Sequence, residues 1–256
     1  MSGMGDFAWH SVFGIEQNIN ALFSPSHLGL ATGAFLILGA PFSAAWHSAD
    51  RAWPQLVPAF VSAMLAGMVA AFILQEFAVF ARHGLIQTYS SAAGTQPAVI
   101  VPTSSSIMVS LASFLVSTVV LFVPVLLLSL RWRLPAAVPA AMALVPSAAL
   151  QVMVALRDAW FIPAALAGAV LVGLVWAVVR PAPERPARLV TAAGLAPVVF
   201  WAPYFAAVAL HDGALSFPPE IWSGTLTWSG LATLSLAALT LKVRAMAGTI
   251  ADSRAS

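Results

Sequence analysis

Seven stretches of this chain are apolar enough and long enough to cross a lipid bilayer, and short polar, proline-rich or charged segments separate them. A hydrocarbon core of about 30 Å takes about 20 apolar residues of helix. Spans are therefore expected at His27–Trp46, Gln55–Ala81, Ile107–Leu130, Leu134–Leu156, Trp160–Val179, Leu189–Leu210 and Trp222–Leu241. The pattern predicts an all-α protein, a polytopic transmembrane bundle of seven helices. Residues 1–26 read as an outer, interfacial amphipathic segment, residues 27–241 as the transmembrane domain, and residues 242–256 as a basic cytoplasmic tail. No basic stretch precedes the first span, where Asp6 and Glu16 stand instead. A cleaved signal peptide is therefore not expected, and the first span serves as its own insertion signal.

Composition agrees: of 256 residues, 61% are hydrophobic and 8% charged, against roughly 25% charged in soluble domains. Those values exclude an ordinary soluble globule, a disordered chain and a coiled coil. Eleven Lys and Arg against nine Asp and Glu leave a net charge of +2, too thin a surplus for a nucleic-acid surface. The distribution of charge says more. Arg51, Arg131, Arg133, Arg180, Arg185, Arg188, Lys242, Arg244 and Arg254 fall on one side of the predicted topology, and Arg82 and Arg157 on the other. Because positive loops stay cytoplasmic, the N-terminus is expected outside and the C-terminus inside, in the inner (plasma) membrane.

With that orientation, Asp6, His10, Glu16, His27, Glu76, His83, Asp158, His211, Asp212 and Glu220 all fall outside or in the outer half. Four of five histidines and six of nine carboxylates thus share the face that is poorest in cations. Such a face attracts a metal cation or a proton. There is no cysteine, so metal chemistry falls to His, Asp, Glu and Met. Ser24-Pro25-Ser26-His27 reads as a helix start, with Ser24 as N-cap, Pro25 at the first helical position and His27 in the first turn. Asp6 and His10, four apart, share one face of a short helix, where the carboxylate can ligate a metal or orient the ring. Glu76 is costly in hydrocarbon unless paired, protonated or facing water. On a continuous helix His83 lies two turns farther out on nearly the same face, which makes Glu76 and His83 a metal or proton path. His211 closes the sixth span on the same outer side, and Met4 is a weak thioether candidate.

Other features concern packing. Gly29 and Gly33 form a GxxxG that admits a close neighbour, and Pro58, Pro124, Pro139, Pro146, Pro163, Pro197 and Pro203 are expected to kink their helices. The outer loop Gly84–Ser106, uncharged and rich in Ser, Thr, Ala and Gly, is expected to fold across the outer face as a lid, with Tyr89 and Pro97–Val101 toward the bundle. Walker, GxGxxG, HExxH and GxSxG motifs are absent, so nucleotide, zincin and serine-hydrolase chemistry lose their usual signatures.

Trp9-His10-x-x-Phe13-Gly14-Ile15-Glu16, followed by Ser24-Pro25-Ser26-His27-Leu28, resembles the opening of uncharacterised bacterial seven-helix membrane proteins. Asp6-x-x-x-His10 with a later histidine is loosely similar to the copper-binding stretch in membrane subunits of particulate methane and ammonia monooxygenases, where the second histidine follows sooner than His27 follows His10. That resemblance implies a copper site. The sequence thus points first to a transition metal, copper ahead of zinc, held by His10, His27, His83 and His211 with Asp6 or Glu76, in metal handling or metal-dependent oxidation. A proton-coupled transporter using Glu76 and His83, and a structural subunit of a larger membrane complex, stay open beside it. The lipid bilayer is the expected partner in every case.

Overall fold

A computed structural model describes residues 2–14, 23–50, 52–81, 104–211 and 219–255, and some side chains within those ranges are not described. The described residues are mostly helical and contain no strand. Among them six helices are long and apolar enough to cross a membrane, and a seventh, Ala137–Met153, is shorter at 17 residues. The chain is therefore a multi-pass membrane protein. It divides into two compact units, Met1–Glu76 and Phe77–Ser256.

The first unit holds α1 (Ser2–Phe13), α2 (Pro25–His47) and α3 (Trp53–Ile73), with α2 packed on both others. The N-terminus of α2 is built as expected: Ser24 Oγ accepts the His27 backbone N–H at 3.4 Å, and Pro25 occupies the first turn, where it sacrifices no helical hydrogen bond. The connection to α3 is a polar turn. Ser48 Oγ accepts the Asp50 N–H, and Asp50 Oδ1 accepts the Ala52 N–H at 2.8 Å.

Pro41, which the sequence reading passed over, sits inside α2. Proline crowds the preceding turn and strains the local hydrogen-bond ladder. Here Ser62 of α3 inserts its hydroxyl into that ladder, accepting from Phe42 N–H at 3.1 Å and donating to the Leu38 carbonyl. These are the two groups that an uninterrupted helix would join directly. A neighbouring serine thus satisfies backbone groups within a pair of apolar helices.

The second predicted span ends earlier than its hydropathy suggests. Helix α3 stops at Ile73, where the Leu74 N–H makes the last bond to Ala70, and a single 3₁₀ turn, Gln75–Phe77, follows. Residues through Ala81 are turns, not helix. The helical spacing that put Glu76 and His83 on one face therefore does not apply.

The second unit is a ring of five helices: α4 (Ser104–Ser129), α5 (Ala137–Met153), α6 (Phe161–Val179), α7 (Pro186–His211) and α8 (Pro219–Ala255). Each packs on the next, α8 returns to α4, and α4 also touches α7 across the interior. Helix α6 shows what surrounds them. Its inward face is Phe161, Ala164, Ala165, Gly168, Ala169, Val172, Gly173 and Trp176, whereas Leu166, Val170, Leu174 and Val178 are exposed at four-residue intervals. An outward stripe of leucine and valine suits lipid as solvent. At 17 residues α5 is about 25 Å long, whereas α8, at 37, is about 55 Å and runs well past any hydrocarbon core, through the residues read as a basic tail.

Close approach in this ring uses glycines other than the predicted GxxxG. A Cβ on Gly168 would lie 2.6 Å from the Phe200 carbonyl oxygen, and one on Gly230 would lie 2.9 Å from that of Gly194. Nothing lies within 4 Å of a Cβ on Gly29 or Gly33, so α1 and α3 do not use that motif. Two of the expected kink prolines are also explained differently: Pro139 and Pro163 fall in the first turns of α5 and α6, where a proline is tolerated. Pro58, Pro124, Pro146, Pro197 and Pro203 do lie inside helices. Gly168→Ala forces helix backbones apart and is expected to cost about 1–3 kcal/mol. Gly224→Ala, whose Cβ meets only Trp228 at 4.0 Å, should cost nothing. Reversible unfolding of both variants in mixed micelles checks the difference.

Candidate functional site

Two of the histidines singled out by sequence come together in the first unit. The rings of His10 on α1 and His27 on α2 lie 5.9 Å apart, centroid to centroid, at 66°. Both are half-buried. Helix α1 ends just after His10 because Gly14 adopts φ +80°, a conformation only glycine takes without strain, and returns its N–H to the His10 carbonyl at 3.0 Å. That turn brings the Gly14 carbonyl to 3.1 Å from His10 Nδ1. A carbonyl only accepts, so Nδ1 donates, and in the neutral ring the lone pair belongs to Nε2. His27 Nδ1 lies 2.7 Å from Ser24 Oγ, the same hydroxyl that caps α2.

Both imidazoles are thus held through Nδ1, the arrangement in which metal-ligating histidines are commonly oriented by a group behind the ring. Two imidazoles sharing one ion, at about 2 Å per metal–nitrogen bond, have centroids roughly 5–6.5 Å apart, and the observed separation falls in that interval. Asp6 stands one turn before His10 on α1; its side chain lies outside the described residues. Among the described residues no group of three or more His, Asp or Glu gathers as a metal site.

The other candidates either belong to the second unit or have side chains outside the described residues. His211, the last residue of α7, belongs to the second unit and stacks on Trp160 with centroids 4.3 Å apart and rings 9° from parallel. Glu76 lies in the 3₁₀ turn with its side chain outside the described residues. His83, Glu16 and Asp212 also lie outside them, as does the expected lid except for Ser104–Ser106, which open α4.

The structure also contains a polar and aromatic center that the sequence reading did not single out. The non-helical segment Ala78–Phe80 is buried in the second unit. Phe80 stacks on Trp201 at 5.5 Å and meets Phe161, Phe200 and Tyr204 edge-on, while Phe161 and Tyr204 stack at 4.8 Å. The segment's backbone is satisfied by side chains: Val79 N–H donates to Ser117 Oγ at 3.2 Å, and Gln151 Nε2 donates to the Phe80 carbonyl. The other end of the same amide, Gln151 Oε1, accepts the Asp158 N–H at 3.3 Å. Gln151 therefore ties the segment to the α5–α6 corner, where Ala155 and Leu156 are held at φ 56° and 53°.

Beneath this segment Trp201 Nε1 donates to Thr118 Oγ1 at 2.8 Å, and Thr118 is 3.2 Å from Ser229 Oγ. Farther along α8, Thr233 donates to the Ala193 carbonyl at 2.7 Å. These bonds join α4, α7 and α8 through their buried faces. The signal for Gln151 was available as the one amide side chain in an otherwise apolar span; its lack of charge hid it.

The chain matches no family model, no curated protein and no solved structure. Gln151→Leu leaves the Phe80 carbonyl and the Asp158 N–H without this partner, and is expected to destabilise the second unit by about 1–3 kcal/mol. Gln151→Glu, which keeps an acceptor for Asp158 and loses the amide donor at neutral pH, should fall in the same direction. Unfolding in mixed micelles, followed by the summed fluorescence of the nine tryptophans, measures both.

Proposed function

We propose that this chain is a seven-helix protein of the cell inner (plasma) membrane, with its N-terminus outside and its C-terminus in the cytoplasm, that binds a transition metal on its outer face. Copper(II) is preferred over zinc, and His10 and His27 supply the first two ligands. Asp6, on the same face of α1 as His10, supplies a carboxylate as third ligand or as the group that orients the ring. Imidazole with carboxylate suits Cu(II) and Zn(II), and no thiolate competes because the chain has no cysteine.

The observation that carries this reading is the approach of His10 and His27, seventeen residues apart in sequence, with each Nδ1 engaged by a local oxygen. The proposed orientation draws on the second unit, where the cations of the α4–α5 and α6–α7 connections share one end and Asp158, His211 and Glu220 the other. His211 needs no metal to account for its place on Trp160, so the minimal site is His10, His27 and Asp6.

The test is metal analysis of the purified full chain after loading with copper(II) and dialysis, together with electron paramagnetic resonance. About one copper per chain with nitrogen hyperfine structure is expected. His10→Ala or His27→Ala should weaken binding by about 100-fold, and Ser24→Ala, which removes the oxygen behind His27 together with the cap of α2, by about tenfold. Copper retained equally by wild type and by the His10→Ala/His27→Ala double variant would overturn the proposal.

A further inference from the structure

The cationic end of the second unit is more than a count of positive loops. The short α4–α5 connection, residues 130–136, is a meeting point for three elements. Arg244 of α8 reaches back to donate to the Leu130 carbonyl at 2.7 Å. From the α6–α7 connection Glu184 accepts from Arg133 Nε and Nη2 at 3.3 and 3.2 Å. Arg131 lies with its guanidinium carbon 5.5 Å from the ring center of Trp132, whose side chain is buried. Arg185, Arg188 and Lys242 stand close by in sequence, and all three are exposed.

Among the described side chains, seven cations (Arg131, Arg133, Arg180, Arg185, Arg188, Lys242 and Arg244) therefore share this end with one carboxylate, Glu184, an excess of six positive charges. The described side chains at the opposite end of the same unit include Arg157 against Asp158 and Glu220. The Arg133–Glu184 pair is open to its surroundings, with the two side chains 75% and 56% exposed, so it neutralises little of the excess. Loop topology alone requires cations on this side but does not require them to be drawn around one loop by bonds from α8 and the α6–α7 connection. Gathered like charges repel, and an anion seated among them relieves that repulsion.

We infer that this end binds the phosphodiester headgroup of an anionic phospholipid, with Arg131, Arg133 and Arg244 around the phosphate and Arg185, Arg188 and Lys242 at its edge. The depth of the site selects a lipid over a free anion. The connections at 130–136 and 180–185 are short and join apolar helices, so their cations stay at the level of the headgroups. Arginine forks fit phosphate oxygens with two parallel hydrogen bonds, and the tryptophan beside them suits the interface. The inference does not depend on which leaflet this end faces, nor on the metal site.

The experiment is native mass spectrometry of the full chain in detergent, titrated with phosphatidylglycerol or phosphatidylcholine. Phosphatidylglycerol should bind at least tenfold more tightly. Each cation contributes about fivefold, so Arg131→Gln/Arg244→Gln should lose most of that preference. Because Arg244 also caps α4, Lys242→Gln/Arg185→Gln/Arg188→Gln, which alters exposed side chains only, provides the second arm and should reduce the preference by tenfold or more. Arg157→Gln, at the opposite end, should leave it unchanged. Equal binding of the two lipids, or a preference that survives the triple variant, would overturn the inference. Displacement of phosphatidylglycerol by submillimolar inorganic phosphate would also overturn it, by assigning the site to a soluble anion.

Discussion

A backbone N–H or C=O that leaves its helix inside hydrocarbon must find another partner, and this chain meets that constraint with a handful of buried polar side chains. Each unsatisfied group would cost several kcal/mol in a medium without water. Ser62 serves Phe42 and Leu38 at Pro41 in the first unit. Ser117 and Gln151 serve Val79 and Phe80 in the second. Remove these three side chains from the sequence and α2 would carry a strained proline turn, while the segment after α3 could not be buried at all.

The second unit is organised around that buried segment. Phe80 fills the space among α6 and α7 with ring contacts, each aromatic pair contributing about 0.5–1.5 kcal/mol beyond the area it covers. Gly168 lets α6 close on α7 and Gly230 lets α8 close on α7, and the Trp201–Thr118–Ser229 bonds fix how α4, α7 and α8 are rotated. In lipid, where apolar surface gains little by leaving its surroundings, such packing and hydrogen bonds carry the specificity that burial carries in water. The first unit shows a local version of the same economy: one hydroxyl, Ser24 Oγ, both caps α2 and meets the His27 ring.

What could be read from sequence follows from how far each signal reaches. Hydropathy sums over about 20 residues, so most apolar spans were legible to within a few positions. The start of α2 was legible because capping is settled within four residues, Ser24 to His27. The end of α3 was not: Phe77, Ala78, Val79 and Phe80 are as apolar as any helix, and hydropathy reports an apolar environment without reporting backbone conformation. Gly29 and Gly33 looked like a contact because of their spacing, while Gly168 and Gly230 each meet a partner's backbone singly, which depends on helix rotation that spacing does not encode. The two histidines of the proposed site were legible as candidates by residue type. Their approach rests on the Gly14 turn and on the packing of α1 against α2, both of which lie beyond a periodicity argument.

The central claim is that residues 78–80 form a buried, non-helical segment held by Ser117 and Gln151, and the cysteine-free chain allows it to be tested with single reporters. The measurement is the labelling rate of Lys242→Cys, Ala78→Cys and Val79→Cys by a water-soluble maleimide in the folded protein. Lys242 is exposed and Ala78 and Val79 are buried, so position 242 should react readily while 78 and 79 react only after unfolding. Equal, rapid labelling at all three positions in the folded protein would contradict the account.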